Sequence, residues 1–361
     1  MTEGALPRPA ARGSLLAGRA RWGFRLRLGG SLGLALACVI FALTQGAAGI
    51  DFVTVVQILL SAVGAPLAHD WSAAEQTIIL DVRLPRVLMA AAVGATLALC
   101  GGAYQAVLRN PLADPYLIGA AAGASLGGTI AIISPIDVAF YPFSVLSLFA
   151  FTGALVATFA SYLLARTGSG SQVTTLILAG VTVSAFATAL TSLLMLRSED
   201  DVRAILAWVL GGFNLASWSK MWLLIPYVLP AGALIILHGR VLNAMQLDEH
   251  EAQQLGVDVT RVRLTMIIAA SVGTAAAVSV SGVIGFIGLV IPHTVRLLCG
   301  PDNRQLLPVA AALGAAMLVL ADLAARTLIE PAEVPVGIVT AIIGAPFFLI
   351  LLRRRRPLSF R

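Results

Sequence analysis

Apolar runs of about twenty residues alternate with short polar stretches between Leu28 and Leu352, and about twenty is the number a helix needs to cross a bilayer. The strands of a membrane barrel would show sustained period-two alternation, which this sequence lacks. The pattern therefore predicts an all-α integral membrane protein of about ten transmembrane helices. The first span is expected near Leu28–Ala48, and the second from Leu84 to Leu108. A third follows Gly119, a fourth ends near Leu164 and a fifth near Leu196. The remaining spans fall near Trp218–Leu237, Leu264–Val280, Val283–Leu298, Leu306–Ala325 and Val336–Leu352.

Two weaker apolar stretches are not counted as spans. Asp51–Asp70 is broken by Pro66 and reads as a short external helix lying on the membrane. Val202–Leu210 is too short to cross, and the preceding Ser198-Glu199-Asp200-Asp201 is a candidate cap for it. Trp208, Trp218 and Trp222 suit the headgroup level.

The second and third spans form a hairpin over Arg83–Gly128. Ala90, Gly94, Ala98, Gly102 and Ala106 recur at every fourth position and make a smooth stripe on one helix face. Gly119, Gly123 and Gly127 repeat the device on the other helix. Lipid gives apolar helices no hydrophobic reason to associate, so close backbone packing along such stripes has to hold them. The turn between them is Asn110-Pro111-Leu112-Ala113-Asp114-Pro115. Gln105, Asn110 and Asp114 are read either as turn caps or as part of a passage.

Composition agrees with a membrane chain: 58% of residues are hydrophobic and 12% charged, where soluble domains carry about a quarter. The net charge of +6 is placed unevenly. Arg8, Arg12, Arg19, Arg21, Arg25 and Arg27 precede the first span, and Arg353–Arg356 with Arg361 follow the last. The positive-inside rule puts both tails in the cytoplasm, which requires an even number of spans. Arginines flanking a span signal topology more often than nucleic-acid binding, so no nucleic-acid partner is expected. Residues 1–27 read as a basic, disordered cytoplasmic tail, 28–352 as a single transmembrane domain, and 353–361 as a basic cytoplasmic tail. The first apolar run lacks a small-residue cleavage site and reads as a retained span.

The longest polar stretch between spans is about 247–263, LDEHEAQQLGVDVTRVR. Asp248 with Glu251 resembles a capping box, and Gly256 a helix stop. Asp258 or Thr260 then caps a helix leading into the seventh span. Alone, this is a solvated connector or a contact for another protein. On the opposite face, Arg83, Arg86 and Arg326 break the positive-inside trend. They read as snorkelling arginines or as forks for carboxylates, with Asp81 or Asp322 as local counter-charge.

Chemistry-bearing patterns are scarce. The single lysine, Lys220, sits outside any Gly-Lys-Ser/Thr phosphate loop, so ATP-driven work would need a separate subunit. Cys38, Cys100 and Cys299 have neither metal nor disulfide spacing, and the four histidines have no metal-ligand spacing. No metal, cofactor or catalytic group is assigned. An ion-coupled secondary transporter would place acidic residues or histidine at mid-membrane, whereas Asp322 lies near a span end and Asp114 in a turn. An intramembrane protease would need a nucleophile with a base, and no such pair stands out.

Three blocks carry a family resemblance. The first is RLPR, GATLALCGG, Gln105 and RNPLADP. The second is GVIGFIGLVIPHTVR with Gly300-Pro301-Asp302-Asn303-Arg304 and Leu307-Pro308. The third is Ala321-Asp322, Ala325-Arg326, Glu333-Val334-Pro335-Val336-Gly337 and Gly344-Ala345-Pro346-Phe347. In that order and over most of the chain, they resemble the permease subunits of type II ABC importers for iron chelates, haem and vitamin B12.

The resemblance implies the type II permease fold in a bacterial inner membrane. It implies a second permease copy, two cytoplasmic ATP-binding subunits and a periplasmic or lipid-anchored substrate-binding protein. It gives Arg83, Arg86 and Arg326 the role of gripping acidic residues on the binding protein. It gives Asp248, Glu249, Glu251, Leu255 and Gly256 the role of coupling to the ATPase. The implied cargo is a ferric siderophore or haem, with cobalamin as the alternative. Trp208-Val209-Leu210-Gly211-Gly212-Phe213 departs from the Trp-x-x-Gly-Ser-Leu form of many siderophore permeases and sits nearer the cobalamin version.

Overall fold

A computed structural model describes residues 10–46, 48–66, 70–136, 144–167, 172–247, 249–329 and 332–354. Among these residues the regular structure is helical, apart from one isolated bridge between Ile329 and Ala332. The helices are α1 Ala10–Thr44, α2 Phe52–Ala62, α3 Ala73–Thr77, α4 Leu84–Val107, α5 Ala120–Ile133, α6 Val145–Thr167 and α7 Gln172–Arg197. They continue with α8 Val202–Val209, α9 Trp218–Leu237, α10 Gly239–Ala244, α11 Glu249–Gln254, α12 Val259–Ser281, α13 Ile287–Cys299, α14 Asn303–Thr327 and α15 Val336–Arg354.

Among the described residues, seven helical stretches are long and apolar enough to cross a membrane: Gly23–Thr44, Ala73–Val107, Val145–Arg166, Val173–Arg197, Trp218–Leu237, Val259–Ser281 and Asn303–Thr327. The shorter apolar helices α5, α13 and α15 occupy the places of the other expected spans. Helix α2 has 11 residues, about 16 Å, too short to cross. Asp51 caps it by accepting from the Val53 N–H, and Val55 and Ile58 face the core. Helix α1 starts well before the Leu28 expected from hydropathy, because the Ala- and Arg-rich segment after Pro9 consists largely of good helix formers. Residues 1–9, 137–143, 168–171 and 355–361 lie outside the described residues, so the expected far N-terminal and C-terminal tails and much of two predicted loops are not described.

Helices α4, α12 and α14 form the centre. The apolar stretches holding α4 and α12 are each 78% buried, against 17% for α7, so α7 is peripheral in the chain. The small-residue stripes explain the packing. Gly94 lies against Gly314 and Leu318 of α14, and Gly102 against Leu307 of the same helix. Gly123 and Gly127 lie against Gly153 and Phe149 of α6. Gly101, off the predicted stripe, gives α4 a second close approach, to Gly288 of α13.

The expected junction of two full spans at residue 282 is an irregular elbow instead. Helix α12 ends at Ser281, the backbone turns through Gly282 (φ +67°) and Phe286 (φ +70°), and α13 begins at Ile287 with 13 residues. Backbone off the helical path inside a bundle needs donors and acceptors from the protein. Gly212 N–H donates to Ser281 C=O at 2.8 Å. The Tyr116 hydroxyl donates to Ile284 C=O at 3.0 Å and accepts from Ile284 N–H at 3.3 Å. The start of α15 joins the same knot: Val336 N–H donates to Gly211 C=O at 2.9 Å, and Gly337 N–H to Leu210 C=O at 3.1 Å.

Glu199–Asp201 form a 3₁₀ turn, but no side chain of Ser198 or Asp201 caps α8, a correction to the expected acidic cap. Asp258 does cap α12, accepting from the Arg261 N–H at 3.0 Å.

Candidate functional site

The structure brings the predicted arginines together at one end of the bundle. Arg83 ends a π-helical turn over Ile78–Arg83 that leads into α4. Arg86 sits one turn further, and Arg326 in the last turn of α14. Arg83 Nη1 donates to Leu43 C=O at 2.8 Å. Arg326 Nη2 donates to Ala42 C=O, and its Nη1 to Gln45 C=O at 3.2 Å. Both guanidinium groups thus close the C-terminus of α1, where unpaired carbonyls and the negative end of the helix dipole favour a cation.

Arg86 is the hub. Its Nε lies 3.0 and 3.1 Å from the Asp322 carboxylate oxygens, and its Nη2 2.8 Å from Oδ1. Its other edge reaches Glu333, Nη1 to Oε1 at 2.9 Å and Nη2 to Oε2 at 3.1 Å. The expected Asp322–Arg326 pair at i,i+4 exists only at 3.8 Å; the main partner of Asp322 is Arg86. Asp81, the other expected counter-charge, is exposed and joins none of the ion pairs described. The side chains of Arg86, Arg326 and Asp322 are 12%, 9% and 1% exposed, whereas Glu333 is 36% exposed. Arg83 is buried as well. The cluster is therefore knitted into the fold, with Glu333 on its outer side. Sequence reading left Glu333 out of the site; three arginines with one buried aspartate still lack counter-charge, and that imbalance was the available signal.

At the opposite face, Asp248 lies outside the described residues, as does the side chain of Glu249. Helix α11 ends as expected at Gly256, φ +80°. Gly256 N–H donates to Gln253 C=O at 2.9 Å and Val257 N–H to Ala252 C=O at 3.1 Å, the paired bonds of a Schellman cap. Ala252 is fully buried, while Glu251 is exposed and Leu255 is 65% exposed. Among the described side chains this short helix inserts Ala252 and presents His250, Glu251, Gln253 and Gln254 outward.

A platform of bonds joining α10 to the α4–α5 turn and to the start of α14 was not anticipated. Arg109 adopts φ +48° and its Nε donates to Met245 C=O at 2.7 Å, tying the α4–α5 turn to α10. Asn243 Nδ2 donates to Asp302 Oδ1 at 2.6 Å, and Asn303 N–H donates back to Asn243 Oδ1 at 2.7 Å. Asp302 also caps α14 and pairs with Arg304 at 2.8 Å. The Arg304 guanidinium, helped by Asn243, holds the Asp302 carboxyl down at about 2.

In the α4–α5 turn, Asn110 Oδ1 accepts from Leu112 N–H at 2.9 Å and Asp114 Oδ1 from Tyr116 N–H at 2.8 Å. Both do the work of turn caps. Gln105 is buried and its Nε2 donates to Leu289 C=O at 3.2 Å, in the turn before Pro292; its Oε1 has no partner. Among the described residues no group of three metal-binding side chains gathers, and the cysteines are free.

A helical bundle of this span number, with a capped helical platform at one face and an arginine–carboxylate cluster at the other, defines a polytopic membrane permease. The chain belongs to the FecCD transport family, whose pattern matches residues 34–354. It is 43% identical over 300 residues to the cobalamin import system permease protein BtuC of Halobacterium salinarum, covering 82% of this chain and 79% of that one. It is 38% identical over 338 residues to the hemin transport system permease protein HmuU of Yersinia pestis, covering 92% and 96%. A solved structure presented as an inward-facing conformation of a metal-chelate type ABC transporter superposes with a TM-score of 0.76 at 33% identity, covering 91% of this chain and 99% of that one. The chain is thus a membrane permease subunit of an ABC importer, with ATP hydrolysis carried by separate subunits.

Proposed function

We propose that two copies of this chain form a passage for an iron chelate, a ferric siderophore or haem, across a bacterial inner membrane with both termini in the cytoplasm. The observation that carries the reading is the uncovered face of α7. It exposes Thr174, Thr182, Thr188 and Ser192 together with Leu178, Val181, Phe186, Leu193 and Leu196, and no charged side chain until Arg197. An uncharged, mostly apolar wall suits a large ligand that already wraps its metal, and a second copy across that face would complete it.

In this reading a substrate-binding protein docks at Arg83, Arg86 and Arg326, and the ATPase engages Glu249, Glu251, Leu255 and Gly256, with Asp248 beside them. The similarity to a hemin permease along nearly the full chain favours the chelate assignment. The similarity to a cobalamin permease favours cobalamin as the second reading. The Trp208–Phe213 segment does not discriminate. Gly211 needs its φ of +73°, Gly212 bonds Ser281 and Phe213 is buried, so these residues answer to packing.

The test is uptake in proteoliposomes holding the permease, its ATPase and its binding protein, loaded in turn with ferric siderophore, haem and cobalamin. ATP-dependent uptake of a ferric chelate or haem is expected. Uptake of cobalamin alone replaces the cargo. Uptake driven by a proton gradient without ATP overturns the mechanism.

A further inference from the structure

Arg86 is gripped on two sides by carboxylates of unequal standing, and this rests on and deepens the docking reading given above. Asp322 is 1% exposed, lies on α14 and also faces Arg326 at 3.8 Å. Removing it would strand buried guanidinium charge, so it is fixed. Glu333 differs in every respect. It sits just before α15, its side chain is 36% exposed, and it covers only the outward edge of Arg86, through Nη1 and Nη2. That edge is the planar fork an approaching carboxylate would seek. Arg83 and Arg326 spend donors on the α1 carbonyls of Leu43, Ala42 and Gln45. Among the described residues, Arg86 alone of the three is held by a carboxylate that solvent can reach.

We infer that Glu333 is an internal stand-in for an acidic side chain of the docking protein. In the undocked permease it satisfies the outer edge of Arg86. On docking, a partner's carboxylate takes the same two nitrogens and Glu333 swings into water. The exchange is one carboxylate for another, so Arg86 never loses its counter-charge and the buried Arg86–Asp322 pair is undisturbed. Among the described residues, with Glu333 in place, three arginines face two carboxylates. Neutralising Glu333 removes the competitor and leaves the cluster more positive, so an acidic partner should bind more tightly and with steeper dependence on salt. Asp322 acts as the positioning residue that aims the Arg86 fork outward.

The experiment measures the affinity of the binding protein that stimulates the ATPase for the permease–ATPase complex in nanodiscs, at two ionic strengths. Glu333→Gln is expected to tighten docking about two- to fivefold, the range an exposed pair commands, with a steeper salt dependence than wild type. Glu333→Asp keeps the charge on a shorter arm and should give a smaller gain. It also keeps the test open if Glu333→Gln assembles poorly, which thermal unfolding reports. Measurable wild-type docking with Glu333→Gln and Glu333→Asp unchanged or weaker overturns the inference while leaving the docking reading intact. Docking that is insensitive to Arg86→Gln sinks the docking reading itself, and this inference with it.

Discussion

The Arg83 guanidinium donates to the Leu43 carbonyl at 2.8 Å, so a residue at the head of one span closes the tail of another. Arg83 is only 5% exposed, and Gly46 at φ +144° packs against its guanidinium. Arg83→Met keeps much of the bulk but leaves the Leu43 carbonyl without this donor. The expected cost is about 1–3 kcal/mol, that of a buried group left unsatisfied. Thermal unfolding of the purified permease in detergent checks it. A variant as stable as wild type would free Arg83 from this structural duty and make charge reversal there a clean probe of docking.

Gly94 and Gly314 present their backbones to each other, so either carrying a Cβ would meet the other's carbonyl. Gly94→Ala should destabilise by about 1–3 kcal/mol through overpacking. Gly94→Ala with Gly314→Ala should cost less than the sum, because the first spreads the helices for the second. Gly33 in α1 has open space around its Cβ position, and Gly33→Ala should be neutral or stabilising by about 0.5–1 kcal/mol. Unfolding midpoints for the series test this; a destabilised Gly33→Ala would argue against the open α1 face.

The contrast between those glycines shows how far the sequence could be read. Spacing by four exposed the stripe from Ala90 to Ala106, since helix periodicity is local, and Gly94 and Gly102 do face α14. Gly101 and Gly288 meet by tertiary placement, and nothing local distinguishes Gly101 from Gly102. The elbow at residues 282–286 was hidden for a related reason. GVIGF is apolar enough for a span, and only distant partners, Tyr116 and Gly212, make its irregular backbone tolerable. Arg83, Arg86 and Arg326 were legible as residues, and Asp322 as a local counter-charge, whereas the bonds to α1, from Arg86 to Asp322 and to Glu333 bridge 40 to 284 positions and leave no local mark.

The Asp302 carboxyl gives the α10–α14 platform an acid limit. Its folded value of about 2 lies below the ordinary value of roughly 3.9. A depressed carboxylate contributes stability that is fully present above the unfolded value and is lost as pH falls through the folded one. Arg304→Gln removes the largest cause of the depression. Wild type should therefore exceed this variant by a constant margin from about pH 8 to 5, and the margin should vanish between roughly pH 4 and 2. Unfolding midpoints across that range check it. A margin that persists below the window would mean Arg304 stabilises by packing rather than by holding Asp302 ionised.

If α11 couples to the ATPase as proposed, it separates fold from coupling within four residues. Ala252 is fully buried and Leu255 is 65% exposed, with Gly256 closing the helix between its Schellman bonds. An exposed leucine on a capped, supported tip costs the fold little to change, so Leu255→Asp should shift stability by no more than about 0.5 kcal/mol. If the ATPase seats this tip in a pocket, the same change should cut binding-protein-stimulated hydrolysis on the order of tenfold, as the loss of a buried apolar anchor does at other interfaces. Ala252→Leu should behave in the opposite way: it has no space beneath the helix, lowers the unfolding midpoint and reduces coupling only as the platform loosens. Gly256→Ala should fall between them, since the φ of +80° strains any side chain by about 1 kcal/mol and tilts the tip. Measuring stimulated ATPase against unfolding midpoint for the three variants separates the two roles. Full stimulation in Leu255→Asp would move the ATPase contact off this helix.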